Sequence, residues 1–369
     1  MKKIKIAIVH DYIKEYGGAE RFLESLHDTF PDAPVYTTIY DSKYLGPHKD
    51  RFKSWDIRPS FLQYIPFHSK LISPFRLISP LVFKTMDFSE FDIVIVSATG
   101  AYLPNTIRKQ NAKQICYCHT PPRYLYGFET ARKINNKILK FASLIAFHFM
   151  RLIDFHSAQN VDQFIANSEE VKKRIWKFYR KESVVINPPV NTGDSSKFLV
   201  HRKKDYYVAG GRLARAKHQD LAIKSAIDLN INLKVFGKSF TDYGRILNEL
   251  AAGHSNIELL GEIDDNKKSE IISGAKAFIS PSRDEDFGML NVESMALGTP
   301  VIAHASGGAL ETIIDNKTGV LFKNMNKKSL INAVQKVEKL NLKSSDCKKQ
   351  AEKFSEEKFK EKIKKLIFS

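Results

Sequence analysis

The chain has 369 residues, room for two domains of ordinary size, and its 43% hydrophobic and 27% charged residues are the balance of a globular protein. Three cysteines are too few for a disulfide framework, so the small disulfide-stabilised secreted class is excluded and a reducing, cytoplasmic location is expected. A net charge of +17 indicates a polyanionic partner or surface, and because zinc-ligand spacing and RNA-binding signatures are absent, no nucleic-acid partner is expected.

Short apolar runs alternate with segments of helical spacing along the chain. The strands predicted are Ile4–Val9, 33–40, Asp92–Ala98, Gln114–His119, 163–168 and 183–189, then 205–211, Asn232–Gly237, 256–261, Lys276–Ser282 and 300–305. Strands rich in Val and Ile with helix-length segments between them indicate parallel sheets covered by helices on both sides. The first run stops at His10, too early for a signal peptide.

The pattern restarts after a stretch near mid-chain, Pro188–Lys204, that contains Pro, Gly and Ser and has little periodicity. We therefore expect an α/β protein of two doubly wound, Rossmann-like domains facing a central cleft, an N-terminal domain over 1–190 and a C-terminal domain over 191–345. Residues 346–369 read as a basic amphipathic helix. In such sheets ligands bind at the carboxyl ends of the strands.

In the first half, two loops that follow strands carry candidate residues. Gly17-Gly18 stands before a predicted helix, where glycine lets a phosphate or sugar approach the backbone, although a plain turn is the alternative. The pattern is not G-x-G-x-x-G, so a dinucleotide fingerprint is absent. His119 follows the strand QICYC and precedes Arg123 and Tyr124; a structural histidine is the alternative to a catalytic one.

Between those two loops and beyond them lie segments suited to a membrane surface. Ala131 to Ile153, ARKINNKILKFASLIAFHFMRLI, has five Lys or Arg residues, no acidic residue and a strongly apolar character. With the run Phe61–Lys84 it predicts interfacial contact with an anionic membrane, a core helix with a solvated basic face being the alternative. No stretch approaches the roughly 20 apolar residues of a membrane span.

The second half opens with GGRLARAK, in which Arg212 and Lys217 follow a strand and Gly210-Gly211. Two cations in one strand-end loop could converge on a diphosphate, arginine as a fork and lysine as a point charge.

The stretch DEDFGMLNVESMALGTP, from Asp284 to Pro300, follows the strand KAFISPS and holds four carboxylates. Asp284 and Asp286 form a D-x-D that could bind a metal, whereas Glu285 and Glu293 could accept hydrogen bonds from sugar or ribose hydroxyls. A metal would need further ligands that the sequence does not supply, and Arg212 with Lys217 already provides positive charge. The glutamates are therefore preferred and no metal is expected.

Taken in order, these motifs resemble the retaining glycosyltransferases of the GT-B fold, family 4. The matching pieces are Gly17-Gly18, His119 after QICYC, ANSEEVKKRI, PPV, GRLARAK, E-x7-E from Glu285 to Glu293, GGALE and NKTG. They cover nearly the whole chain, and ICYCHTPPRYLYG is most similar to mannosyltransferase-like members of bacterial surface polysaccharide synthesis.

The resemblance implies a role for each matching residue. His119, Glu285, Arg212 and Lys217 would be catalytic, the two cations offsetting charge on the leaving nucleoside diphosphate without a metal or other cofactor. His119, Arg123 and Tyr124 would lie on the acceptor side. Donor-binding residues would be Gly17, Gly18, Gly211, Arg212, Lys217, Ile263, Glu285, the backbone N–H groups of Phe287, Gly288, Met289 and Leu290, and Glu293 on the ribose.

The expected function is transfer of a sugar, with mannose from GDP-mannose preferred, from a nucleotide-sugar donor to a lipid-linked or oligosaccharide acceptor in surface polysaccharide or O-antigen-type biosynthesis. The enzyme would lie peripherally on the inner face of the cytoplasmic membrane, and the 346–369 helix would cross back to the N-terminal domain, as is common in this fold. The alternatives are a nucleotide-sugar epimerase, which would turn over donor without acceptor, and a non-catalytic GT-B interaction subunit. A phosphorylase would need a pyridoxal-phosphate lysine, for which no segment argues.

Overall fold

The structure, a computed structural model, describes residues 4–129, 136–192, 203–239 and 242–368, and they form two compact units. The described residues up to Glu129, those from 136 to Asn187 and those from Lys360 form the first unit, and those from Pro188 to Phe359 form the second. The chain therefore leaves the first unit once and returns to it at the end.

The first unit is built on a parallel sheet with strand order β3-β2-β1-β4-β5-β6-β7. Its strands are β1 (Ile6–His10), β2 (Val35–Thr37), β3 (Ile57–Pro59), β4 (Ile93–Ala98), β5 (Lys113–Cys118), β6 (Gln163–Ala166) and β7 (Ser183–Val185). Its helices are α1 (Gly18–Thr29), α2 (Ile72–Lys84), α3 (Lys137–Gln159) and α4 (Glu169–Tyr179). All six residues of β4 are buried, which is why this strand reads as a continuous apolar run.

The second unit has a parallel sheet with strand order β10-β9-β8-β11-β12-β13. Its strands are β8 (Tyr207–Gly210), β9 (Leu233–Phe236), β10 (Ile257–Gly261), β11 (Phe278–Ser280), β12 (Val301–His304) and β13 (Gly319–Phe322). Its helices are α5 (Gln219–Leu229), α6 (Tyr243–Ala251), α7 (Asp265–Gly274), α8 (Met289–Ala296), α9 (Ala309–Thr312), α10 (Lys327–Lys339) and α11 (Ser344–Ala351). In both sheets the order reverses beside the first strand, the point where open α/β sheets bind ligands, so the prediction of two Rossmann-like α/β domains is confirmed.

The last helix, α12 (Glu356–Phe368), begins in the second unit, and its residues from Lys360 belong to the first. Within the first unit, Ile363 and Ile367 are buried, and the Phe368 ring lies 6.1 Å from that of Phe30 in an edge contact. Lys360 Nζ lies 3.7 Å from a carboxylate oxygen of Asp28. In the second unit the outgoing and returning segments run side by side, since the Val190 N–H donates to the carbonyl of Phe354 at 3.1 Å.

The elements differ from the sequence predictions in three places. The apolar pattern does not predict strands β3 and β13; both lie at sheet edges, and β3 has three residues and ends at Pro59. The segment 346–369 is two helices rather than one, because α11 and α12 are separated at Glu352–Ser355. Residues 131–135 of the predicted amphipathic segment, and 193–202 of the predicted linker, lie outside the described residues.

Two further observations concern membrane-spanning helices and cysteines. In the described part of the chain, no helix is both long enough and apolar enough to span a bilayer. Cys116, Cys118 and Cys347 are free and buried.

Candidate functional site

In the second unit, the loop after β8 is shaped by close backbone approaches. Gly211 has φ +102, and a Cβ there would lie 2.8 Å from Leu290 Cδ1 on α8. The Gly211 N–H donates to the carbonyl of Phe236 at 3.2 Å. Only glycine fits this position, and the result is that the loop carrying Arg212 lies directly against the start of α8.

The same loop ends in a short turn that contains Arg215 and Lys217. Arg215–Lys217 forms a 3-10 turn, and His218 (φ 51) leads from it into α5. The buried Gln219 side chain donates to the carbonyl of Arg212 at 3.2 Å and so fixes the backbone of that residue. Arg212 itself is exposed.

Lys217 and Glu285, assigned separately to diphosphate and sugar, form an ion pair in this structure. Lys217 Nζ lies 2.7 Å and 2.6 Å from the two carboxylate oxygens of Glu285. Both side chains are partly exposed, 34% and 18%, so water and ligands reach them. The ammonium and the carboxylate thus offset each other's charge, a contact that neither motif alone indicates.

The loop that carries Glu285 is braced by the loop after β12. The Gly308 N–H donates to the carbonyl of Glu285 at 2.8 Å, and a Cβ on Gly307 would lie 2.2 Å from that same oxygen. Asp284 has φ 53, and its N–H donates to Ser306 Oγ at 3.0 Å. This contact explains the glycine pair in GGALE, because the two loops can meet only where side chains are absent.

Helix α8 begins immediately after this loop without a side-chain cap. The residue before the helix, the N-cap Gly288, has φ +87, and its carbonyl accepts from Asn291 N at 2.9 Å. Asn291 is 1% exposed, and its Nδ2 donor has no hydrogen-bond partner among the described residues. A helix start with uncommitted N–H donors and a buried unpaired amide is an environment that favours an anion.

Glu293 is held by a lysine that the sequence analysis did not single out. Lys268 Nζ on α7 lies 2.9 Å from Glu293 Oε2 and 3.0 Å from Asp265 Oδ1. Lys268 and Glu293 are only 11% and 12% exposed, so the pair is largely removed from water. Helix α7 is capped by Asp264, whose side chain accepts from Lys267 N, and this fixes the start of the helix that carries Lys268.

The remaining donor-side residues are apolar and border the same helix. Phe287 is 2% exposed and packs edge-on against Phe354, with ring centroids 5.4 Å apart, so only its backbone is available to a ligand. Ile263, Met289 and Leu290 are partly buried against the same core. They offer an apolar surface of the kind that contacts a base or a sugar ring.

Asp284 and Asp286, the D-x-D pair, flank Glu285 in its loop. Asp284 Oδ2 lies 3.6 Å from Arg283 Nε. Across the described residues, no group of three or more His, Cys, Asp and Glu side chains is placed to hold a metal ion.

In the first unit, His119 lies just beyond the carboxyl end of β5. Its N–H donates to the carbonyl of Ala98 at 2.9 Å, and its own carbonyl accepts from Asn167 Nδ2 at 2.9 Å. The ring contacts Phe22 edge-on with centroids 4.7 Å apart. Desolvation, with a smaller contribution from His10, lowers the pKa of His119 to about 3, so the imidazole is neutral at neutral pH.

Gly17 and Gly18 lead into α1, but neither has the positive φ that would demand glycine. The Gly17 N–H donates to Glu20 Oε2 at 2.8 Å. The Gly17 N–H is therefore already bound to Glu20, and a phosphate or sugar that binds this N–H would have to displace that carboxylate.

On the predicted acceptor side, Tyr124 is more enclosed than its place in a loop indicates. Arg76 of α2 lies over its ring at 4.2 Å from the centroid, and Phe147 of α3 packs against it at 5.2 Å. Its hydroxyl is buried without a hydrogen-bond partner in the described part of the chain. Arg123 donates from Nε to the carbonyl of Glu129 at 3.4 Å.

The structure thus brings the predicted residues together in two groups, one in each unit. Arg212, Lys217, Glu285, Glu293 and the start of α8 assemble in the second unit; His119, the Gly17-Gly18 loop and Tyr124 lie in the first. Lys268 and Asn291 are additional residues of the second group. No local pattern identifies them, since each depends on contacts between separate elements.

Comparisons with known proteins agree with this division. The model of the glycosyl transferases group 1 matches residues 192–354, and the model of glycosyltransferase family 4 matches residues 16–194. The boundary between the two matches falls near Pro188, where the second unit begins.

Two curated relatives show how far sequence similarity extends. An uncharacterized glycosyltransferase of Methanocaldococcus jannaschii is 30% identical over 178 residues, which are 47% of this chain and about half, 49%, of that protein. The alpha-1,3/1,6-mannosyltransferase ALG2 of Dictyostelium discoideum is 24% identical over 394 aligned residues, covering 91% of this chain and 90% of that protein.

Solved structures share the fold at lower identity. Anabaena HepE in complex with UDP and glucose superimposes with a TM-score of 0.70 at 17% identity, covering 99% of this chain and 100% of that one. Sucrose-phosphate synthase of Thermosynechococcus elongatus gives a TM-score of 0.73 at 17% identity, covering 98% of each chain.

Proposed function

Because the chain belongs to the family 4 glycosyltransferases of the GT-B fold, we propose that it transfers mannose from GDP-mannose to a lipid-linked glycan at an anionic membrane surface. That it is a glycosyltransferase follows from the family. The donor, the acceptor and the membrane are the proposal. The site of the second unit supports binding of the donor, and helix α3 supports the acceptor and the membrane.

The single observation that carries the assignment of the donor-binding site is the ion pair between Lys217 Nζ and both carboxylate oxygens of Glu285, at 2.7 Å and 2.6 Å. It joins two motifs that are 68 residues apart, beside a helix start that favours an anion. A diphosphate carries more negative charge than one carboxylate, so it would compete for the lysine. Lys217 would then turn to the phosphates, and Glu285 would be released to accept hydrogen bonds from the sugar.

The chemistry follows from where charge develops. As the bond between the anomeric carbon and the β-phosphate oxygen breaks, negative charge grows on the departing nucleoside diphosphate, and Lys217, Arg212 and the N–H groups of α8 would stabilise it. The acceptor hydroxyl forms the new bond to the anomeric carbon, and its proton passes to the departing phosphate oxygen. With retention, which the family implies, the acceptor enters on the face that the leaving group vacates.

Glu293 and Lys268 would form the nucleoside end of the site. A carboxylate with 12% exposure, already oriented by an ammonium at 2.9 Å, is suited to accept hydrogen bonds from the two ribose hydroxyls. Mannose is preferred on two grounds, the similarity of ICYCHTPPRYLYG to mannosyltransferase-like members and the name of a relative that aligns with nearly the whole chain. Guanosine is preferred on the first ground alone.

The lipid-linked acceptor and the membrane are supported by α3. Nine apolar side chains of this helix are 38% or more exposed: Ile138, Leu139, Phe141, Leu144, Ile145, Phe149, Leu152, Ile153 and Phe155. Lys137 and Lys140 stand at its start, and its one acidic residue, Asp154, is buried. Helix α2, which contacts α3, adds the exposed Leu77 and Leu81. Apolar side chains beside lysines, with no exposed acid, suit the boundary of an anionic membrane.

The proposal is tested by binding before turnover. GDP, UDP, ADP and GDP-mannose are compared by thermal shift and calorimetry, and we expect GDP and GDP-mannose to raise the melting temperature most. Lys217→Ala should weaken GDP binding at least tenfold, because it removes a cation that contacts the diphosphate. The matched control is Arg215→Ala, which removes a cation of the same loop that pairs with Asp242.

Transfer is then followed from radiolabelled GDP-mannose to a membrane lipid extract. Tighter binding of UDP than of GDP would contradict the donor while leaving the family intact. Equal losses in Lys217→Ala and Arg215→Ala would contradict the assignment of the site. Donor turnover without acceptor would favour the epimerase.

A further inference from the structure

Three side chains at the carboxyl ends of neighbouring strands of the first unit form a continuous hydrogen-bond chain. His10 ends β1, Ser97 lies near the end of β4, and His119 follows β5. Ser97 Oγ lies 3.0 Å from His10 Nδ1 and 3.1 Å from His119 Nε2. His10 and Ser97 are fully buried, whereas His119 is partly exposed. One hydroxyl thus bridges two imidazoles, and only the outer one can reach a ligand.

A carboxylate stands at the inner end of this chain. Glu20 Oε1 lies 3.9 Å from His10 Nε2, and Glu20 Oε2 accepts from the Gly17 N–H at 2.8 Å. Glu20 is 5% exposed, so its position is set by the start of α1 and not by water. His10 Nε2 is buried and has no hydrogen-bond partner among the described residues.

These contacts determine which atom donates and which accepts in each hydrogen bond from Glu20 to His119. At 3.9 Å the carboxylate does not accept a normal hydrogen bond, but its charge favours a proton on His10 Nε2 over a lone pair. In neutral His10 the proton on Nε2 leaves Nδ1 as an acceptor. The Ser97 hydroxyl then donates to His10 Nδ1, and its oxygen is free to accept from His119 Nε2–H. A neutral imidazole with its proton on Nε2 has a lone pair on Nδ1.

We propose that Glu20, His10 and Ser97 are positioning residues that hold His119 in its Nε2–H tautomer and so leave Nδ1 as an acceptor for a substrate hydroxyl. The tautomer stands on the geometry alone. Its use on a sugar or acceptor hydroxyl rests on the proposed function. The neighbouring Asp11 acts on His10 through its charge and not through a hydrogen bond among the described residues. Its Oδ2 accepts from the Thr99 hydroxyl and the N–H groups of Ala101 and Tyr102.

The outer imidazole is also held in place mechanically. Phe22 contacts it edge-on at 4.7 Å, and Tyr117 does so at 5.1 Å. The ring is fixed and neutral, so the other tautomer would place a lone pair on Nε2, which faces Ser97, and a proton on Nδ1. Nε2 could then no longer donate to Ser97, and Nδ1 could no longer accept from a ligand. The hydroxyl of Ser97 therefore determines which hydrogen bond His119 can offer a ligand.

The tautomer is tested without any substrate. Two-bond proton–nitrogen correlations on histidine-labelled protein separate protonated from unprotonated ring nitrogens, and His119→Gln identifies the signals of that residue. We expect His119 with its proton on Nε2 in the unmodified protein. Ser97→Ala should give a mixture of tautomers, and Ser97→Thr, which keeps the hydroxyl, should restore one. The control Ser225→Ala removes a buried hydroxyl of the second unit for which the described residues provide no hydrogen-bond partner, and it should change nothing at His119.

His10 provides a second, independent variant. His10→Asn keeps an acceptor close to the position of Nδ1 and should preserve the tautomer of His119, whereas His10→Phe removes the acceptor and should not. A His119 protonated on Nδ1 in the unmodified protein, which a His10 protonated on both nitrogens would impose, would overturn the proposal. So would a His119 spectrum that Ser97→Ala and His10→Phe both leave unchanged.

Activity then tests the use of the tautomer. Once a donor is identified, Ser97→Ala should lower kcat by about tenfold with the donor KM within about twofold, because the hydroxyl acts on an orienting contact and not on donor binding. Ser97→Thr should recover most of the rate. An altered tautomer with full kcat would remove the catalytic role and leave the hydrogen-bond chain. Absence of turnover with every donor would count against the proposed function and not against the tautomer.

Discussion

At the scale of single residues, the donor site of the second unit contains two ion pairs. Lys217 pairs with Glu285 and Lys268 with Glu293, so three of the charged residues expected to contact the donor, Lys217, Glu285 and Glu293, already have a partner of opposite sign. The first pair is 34% and 18% exposed and can exchange with a ligand, whereas the second is 11% and 12% exposed. We therefore expect the first pair to open on binding and the second to stay closed as part of the site.

The second pair leads to a prediction for Lys268→Ala. Removing the ammonium leaves a largely buried carboxylate without its cation, so Glu293 loses the orientation needed for ribose. We expect the affinity for nucleoside diphosphate to fall about tenfold, about 1.4 kcal/mol, measured by calorimetry. Lys267→Ala is the control: it removes the same charge from the adjacent, 52% exposed position, where the lysine pairs with Glu270, and affinity should change less than twofold. Equal affinities for Lys268→Ala and the unmodified protein would show that Glu293 needs no partner.

At the scale of elements, the C-terminal half of α3 is tied to its neighbours through one buried carboxyl. Asp154 is 3% exposed, and its Oδ2 accepts from the hydroxyl of Tyr126 at 2.7 Å and from that of Tyr179, on α4, at 2.9 Å. Burial raises the pKa of Asp154 to about 7, and the two hydroxyls only partly oppose the shift. A helix with one face exposed is thus anchored by a polar contact on the other.

That shift predicts how Asp154→Asn changes stability with pH. The folded pKa of about 7 lies above that of the unfolded chain, so the contribution of Asp154 is complete below about pH 4 and is lost as the pH rises through 7. The variant keeps an oxygen for both hydroxyls and does not titrate. In urea unfolding we expect Asp154→Asn to gain stability relative to the unmodified protein between pH 5 and pH 8, by roughly 4 kcal/mol at most.

Asp162 serves as a control of opposite sign. Burial alone would raise the pKa of Asp162, but Lys109 and the Gln114 N–H hold this pKa below its usual range. Its contribution is therefore present above the unfolded pKa and is lost as the pH falls, so Asp162→Asn should be most destabilising at neutral pH. If both variants showed the same pH profile, local ionisation would not be the cause.

At the scale of the whole molecule, the net charge of +17 and the exposed face of α3 act together. We expect co-sedimentation with vesicles that contain phosphatidylglycerol, little with pure phosphatidylcholine, and a decrease as NaCl rises from 0.1 to 0.5 M, because salt screens exposed charges. Ile145→Glu and Phe149→Glu should abolish the binding. Trp176→Glu, at a 50% exposed position on α4, is the control. Binding that ignored lipid charge, salt and both α3 variants would contradict a membrane role for this helix.

Much of the fold is predictable because its information is local. Buried parallel strands such as β4 are continuous apolar runs, and the loops that follow them carry the glycines and charges of the motifs. Short edge strands such as β3 escape because a three-residue strand ending in proline has no periodicity to detect. The break between α11 and α12 escapes because the amphipathic pattern continues across it.

The site is less predictable than the fold because its contacts join distant parts of the chain. The residue types of Arg212, Lys217, Glu285 and Glu293 indicate a diphosphate and hydroxyls, and the structure places them in one unit. That Lys217 would pair with Glu285, 68 residues away, or Glu293 with Lys268, depends on how loops of different strands meet. The chain from Glu20 to His119 is hidden for the same reason, since His10 and Ser97 look like ordinary strand ends.

The return of the chain to the first unit has a consequence for its synthesis. Ile363 and Ile367 are buried, yet a ribosome adds them only after the whole of the second unit from Pro188 to Phe359. At typical elongation rates those roughly 170 residues take about 10–30 s, during which the nascent first unit lacks its closing segment. The second unit is complete first, although it is encoded later, and the interval is one in which a chaperone would find apolar surface to hold.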